Sequence, residues 1–118
     1  MNYSDCSDFE INRRVAELLG KFEYVSDCNH NGGSAVLCYS LRACDEYDPC
    51  NNPSDAWSII AENKIDIELP HEEVNQIGFA SNHFEGVVHE IMPNDNPLRA
   101  ACIVYLMMQE GKQCLASQ

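Results

Sequence analysis

Apolar positions along the chain change period several times, and each change marks an element. Ile11, Val15, Leu18 and Leu19 recur at i, i+4, i+7 and i+8, with Arg13, Arg14 and Glu17 off the stripe. This spacing predicts an amphipathic helix of about three turns. Ser7 and Glu10 form a capping box before it, and Gly20 suits the left-handed position after its last turn. The period then shortens. Phe22, Tyr24 and Val25, then Ala35 to Leu41, are β-prone runs on either side of Asn29-His30-Asn31-Gly32-Gly33, which predicts an antiparallel hairpin.

Asp45 to Asn52 is polar and reads as a connection. A second helix follows: Asn52 fits its N-cap, Pro53 its first position and Asp55 its positive end, while Ala56, Ile59, Ile60 and Asn63 mark one face. Ile65-Asp66-Ile67-Glu68-Leu69 alternates as a half-buried strand stopped by Pro70, and Gln76 to Ile91 reads as another hairpin with a turn near Gly86.

Asn96-Pro97 repeats the cap-and-proline start, and Leu98 to Gln109 predicts a third helix, apolar from Ala100 to Met108. Such a run is too short to span a bilayer and needs cover on all sides. It is therefore expected to be central or to form a homo-oligomer interface through Leu98–Met108. The sum is one α+β domain over residues 1–118, with a mostly antiparallel sheet and packed helices, expected as an α/β/α layered sandwich.

Charge narrows the function classes. Nineteen acidic against seven basic side chains give a formal charge of −12, which disfavours direct nucleic-acid binding because a phosphate backbone is repelled. No apolar run suggests a membrane span, and Met1 to Asp5 lacks the pattern of a secretory signal. The seven cysteines contain no C-x-x-C pair. They are read as free thiols, and neither a metal centre nor a cofactor is expected, although Cys28, His30, Cys38, Cys44 and Cys50 lie close in sequence.

No known catalytic motif is present, and no catalytic residue is assigned. His30, His71, His83 and His89 are read as surface or loop residues. Two binding chemistries remain. The acidic clusters at Asp45-Glu46-Tyr47-Asp48, Asp66-Ile67-Glu68 and His71-Glu72-Glu73 would attract a basic protein. Alternatively, Arg42, Tyr47, Asn51, Asn52, Trp57 and Arg99 are candidate ligand-binding residues. In that pocket the start of the second helix and the arginines would hold an anion, with Trp57 stacking on a flat ring.

Two long stretches resemble a known family. Asp48-Pro49-Cys50-Asn51-Asn52-Pro53-Ser54-Asp55-Ala56-Trp57, continuing to Ile65, is similar to the central motif of the NinX-like phage proteins. Asn96-Pro97-Leu98-Arg99-Ala100-Ala101-Cys102, continuing to Glu110, resembles their C-terminal motif, and the opening through Ala16 is similar as well. The helix spacing also bears a weaker likeness to the phage ABA sandwich domain. The resemblance implies a phage accessory protein in the bacterial host cytoplasm and carries over no catalytic residue. Within that setting the leading expectation is a non-enzymatic counter-defence protein that sequesters a small nucleotide-type signal. An acidic inhibitor or nucleic-acid mimic, directed at a basic host protein such as a defence nuclease, is the alternative. An enzyme using a histidine base to degrade such a signal ranks last.

Overall fold

The computed structural model describes residues 3–29, 33–71 and 77–116. A 3-10 turn, Tyr3–Asp5, leads into α1 (Asp8–Leu19), whose N-cap is Ser7, as expected, while no return bond from the Ser7 amide to the Glu10 carboxylate is seen among the described residues. Ser7 Oγ accepts from the Glu10 amide at 3.1 Å, and Gly20 closes the helix at φ +69°. The buried face is shifted from the expected stripe: Ile11, Asn12, Val15 and Ala16 are buried, whereas Leu18 is exposed. A polar side chain thus stands where the apolar spacing left no place for one.

β1 (Tyr24–Asn29) and β2 (Val36–Ser40) pair antiparallel, as the two β-prone runs predicted. The polar stretch that follows is not a simple connection. It begins with a further strand, β3 (Ala43–Tyr47), which folds back on β2 through a turn at Leu41-Arg42 and forms the sheet edge. Four of its five residues are exposed, so it carries none of the apolar alternation by which half-buried strands are recognised. Its one buried side chain, Tyr47, packs on Phe22 with ring centroids 5.4 Å apart.

α2 (Pro53–Glu62) has the predicted cap: Asn52 Oδ1 accepts from the Ser54 amide at 2.9 Å. β4 (Asp66–Glu68), β5 (Gly78–Asn82) and β6 (Val87–Ile91) form the second antiparallel sheet in that order. The α+β class and antiparallel pairing agree with the sequence reading, while the six strands divide between two three-stranded sheets.

α3 (Pro97–Ala116) continues through Gly111, beyond its expected end. Its first turn is capped by Asn96, whose Oδ1 accepts from the Leu98 amide at 2.9 Å. α3 packs against α1, α2, β5 and β6, and residues from Ala100 to Leu106 are all buried. The chain itself therefore covers this apolar run. Of the two expectations for this run, the central position is the one seen within the chain.

Among the described residues, no helix is long and apolar enough to cross a membrane. The side chains of Cys28, His30, Glu72, Glu73 and Cys114, which entered the sequence reading, lie outside the described residues.

Candidate functional site

The loop Asp48–Asn52 between β3 and α2 meets the start of α3, so the two stretches most distinctive in sequence are neighbours in space. Asn96 Nδ2 donates to the Cys50 carbonyl at 2.5 Å and to Asn51 Oδ1 at 3.1 Å. Asn51 Nδ2 lies 3.1 Å from each of Asp8 Oδ2, Ser34 Oγ and Asp48 Oδ1. Asp48 is held further by the Ser34 hydroxyl, which donates to Oδ2 at 2.6 Å, and its own amide donates to Asp55 Oδ2 at 3.0 Å.

The centre of this network is Asn12. Its side chain is fully buried on α1, donating from Nδ2 to the Ser34 carbonyl at 2.9 Å and to Asp48 Oδ1 at 2.6 Å. Its Oδ1 accepts from the Cys50 amide at 3.0 Å. One amide group thus ties α1 to the segment before β2 and to the loop before α2, satisfying backbone groups that burial would otherwise leave unpaired.

Arg99, one of the candidate ligand residues, belongs to the same assembly. Nη1 donates to Asp8 Oδ1 at 2.6 Å, and Nη2 donates to the carbonyls of Tyr3 and Cys6 at 3.1 and 2.7 Å. The guanidinium is committed to fastening the N-terminal segment to α3. Tyr3 reaches α3 as well, its hydroxyl donating to Glu110.

The other candidates are placed differently. Asn51 and Arg99 meet through the two oxygens of Asp8, and Asn52 caps α2. Arg42 occupies the β2–β3 turn at the far end of β3 from Tyr47, about 16 Å away along five residues of strand. Trp57 is 66% exposed on the outer side of α2, neither a core anchor nor a neighbour that the network uses. Tyr47 is a core residue whose hydroxyl has no hydrogen-bond partner among the described residues, and burial raises its pKa. Lys21 lies over its ring, Nζ 5.6 Å from the centroid.

Beside the network, a cleft of about 200 Å³ is lined by His89, Glu90, Asp95, Asn96, Arg99, Ala100 and Ile103. His89, read from the sequence as a surface histidine, is half-buried there. Burial lowers its pKa below the ordinary 6.5, against the opposing pull of Asp95. No local motif marks it, because strand β6 and the first turn of α3 meet only in the fold. Nearby in the core, a hydrogen bond with Cys102, followed by burial, drives the Cys50 pKa far upward and keeps it a protonated thiol.

Among the described residues, Asp5, Glu10, Glu17, Glu23, Asp45, Glu46, Glu62, Asp66, Glu68, Glu85, Glu90 and Asp95 are exposed. The exposed basic side chains described are Lys21, Arg42 and Lys64. The surface is thus strongly anionic on both sheets and on the helices. Among the described residues, no cluster of three or more His, Cys, Asp or Glu has a metal-binding arrangement.

A protein-family model described as bacteriophage P22, NinX matches residues 2–109, nearly the whole chain. No curated protein matches the chain, and no solved structure does.

Proposed function

Because the chain belongs to the bacteriophage P22 NinX family, we propose that it is a phage accessory protein acting in the host cytoplasm by binding a basic protein. A component of host defence is the proposed target. The observation carrying this reading is the distribution of charge: exposed carboxylates cover the surface, whereas Arg99 is committed internally and Arg42 stands apart at a hairpin turn. A field of that sign accelerates encounter with a basic partner and repels nucleic acid. The purified protein, immobilised and exposed to host lysate, should retain basic proteins that are released as salt rises from about 0.1 to 1 M, where the screening length falls from about 10 to 3 Å. Retention indifferent to salt would refute the reading.

A second reading, sequestration of a small nucleotide-type ligand, is favoured by the cleft that brings His89, Asn96 and Arg99 together. At about 200 Å³ the cleft is smaller than the roughly 300–1,000 Å³ usual for such ligands. Sequestration predicts thermal stabilisation by cyclic nucleotides or ADP-ribose derivatives that grows with ligand concentration, with the ligand recovered unaltered after denaturation. Absence of stabilisation throughout such a series would remove it.

A further inference from the structure

The second sheet has one face on α3; on the other, Asp66, Glu68, Val88 and Glu90 are exposed, Phe79 is half-buried and Ser81 is buried. Ile67, Ala80, His89 and Ile91 turn inward, and α3 packs against β5 and β6. Strand alternation places Asp66, Glu68, Phe79, Ser81, Val88 and Glu90 on the opposite face. Cross-strand register aligns them in two rows, Glu68–Phe79–Glu90 and Asp66–Ser81–Val88. Phe79 is half-buried and Val88 is 52% exposed, and both line a shallow groove of about 220 Å³. The face therefore combines an apolar floor with an acidic border.

The border is available for pairing. Among the described residues, Asp66 pairs with the exposed His83 alone, at 3.2 Å, and neither Glu68 nor Glu90 has an ion-pair partner. Glu68 and Glu90 flank Phe79 on neighbouring strands, so their backbones stand about 10 Å apart, twice the inter-strand spacing.

We propose that this face docks a basic amphipathic segment of a protein partner. Apolar side chains of the segment lie on Phe79 and Val88, while its lysines or arginines extend their stems over the floor and pair with Asp66, Glu68 and Glu90. Charge selects this occupant: a second copy would bring carboxylates against carboxylates, and a nucleic acid would bring phosphates. The proposal rests on the protein-binding reading above and gives it a location.

The test is a titration of the full-length, isotope-labelled protein with a synthetic peptide of alternating lysine and leucine, followed by amide chemical shifts. An oligolysine of equal charge serves as the comparison. The expected result is perturbation centred on β4, β5 and β6, binding at least 10-fold weaker for oligolysine, and at least a 10-fold loss for the Glu68→Lys/Glu90→Lys variant. Val88→Ser should also weaken the lysine–leucine peptide while leaving oligolysine binding unchanged. Both variants are judged only if their spectra remain dispersed; Val88→Ser, which alters no charge, supplies the test if the double variant does not fold. Binding centred on β3, around Asp45 and Glu46, would overturn the location and leave the general acidic-surface reading intact. Absence of binding by either peptide would overturn both. Self-association through the β4–β6 face, detected by sedimentation, would overturn the proposal in favour of a second copy.

Discussion

Replacing Asn12 with alanine removes one side chain and three hydrogen bonds that cross between separate parts of the fold. The Cys50 amide, buried beneath it, loses its acceptor, and a stranded buried donor costs about 1–3 kcal/mol. Asp48 loses its 2.6 Å contact, a bond to a charged group worth about 1.5–3 kcal/mol, although the Ser34 hydroxyl still holds its other oxygen. The expected loss is about 3–5 kcal/mol, out of roughly 6–18 kcal/mol for a domain of this length. At about 4 °C per kcal/mol, the melting temperature should fall by about 12–20 °C. Urea unfolding followed by far-ultraviolet circular dichroism is the suitable assay, because Trp57 is too exposed to report faithfully on the core. The midpoint should move while the slope stays constant. Asn12→Asp should be at least as damaging, since it places a carboxylate oxygen where Nδ2 now donates to Asp48. A loss below about 1 kcal/mol for Asn12→Ala, or wild-type stability for Asn12→Asp, would refute the assignment of Asn12 as the centre of the network.

Gly78→Ala should cost more than about 2 kcal/mol in the same assay, because its Cβ would lie 2.2 Å from the Glu68 carbonyl oxygen and 2.6 Å from the Pro70 nitrogen, forcing β4 away from β5. Tyr47→Phe should leave thermal stability unchanged or raise it, since the hydroxyl it removes is buried and has no partner among the described residues; a drop of several degrees would point to a bond with an ordered group. For His89, the unfolded state takes up a proton more readily than the folded state, so its contribution to stability is present above about pH 6.5 and is lost as pH falls through the lowered folded value. His89→Gln should therefore flatten the acid limb of the stability–pH curve, and an unchanged slope would count against burial as the cause.

Helix starts were legible because their determinants are local: Ser7, Asn52 and Asn96 each cap the helix that begins beside them. The hairpin from β5 to β6 was legible for a related reason, with Gly86 adopting φ +68° in its turn. β3 escaped recognition because an exposed edge strand has no apolar face to reveal it. Which strands share a sheet depends on the packing around α3, which residue spacing does not encode. Asn12 was missed for the same reason: its partners lie 22 to 38 residues away. Of the proposed ligand residues, Asn51 and Arg99 came together, but through Asp8 and within a network whose visible contacts are internal. Residue type suggested anion binding at Arg99; only the fold shows that a carboxylate and two carbonyls already occupy its donors.

The position of α3 has a consequence for biosynthesis. Its buried face closes over α1, α2 and the second sheet, and it holds the N-terminal segment through Arg99 and Glu110. A ribosome delivers this helix after every other described element, so a nascent chain ending before Pro97 must leave Ile11, Val15, Ile59 and Ile91 without their common partner. Such chains should be protease-sensitive and require protection from aggregation, with resistance gained only when α3 has emerged from the ribosome and docked.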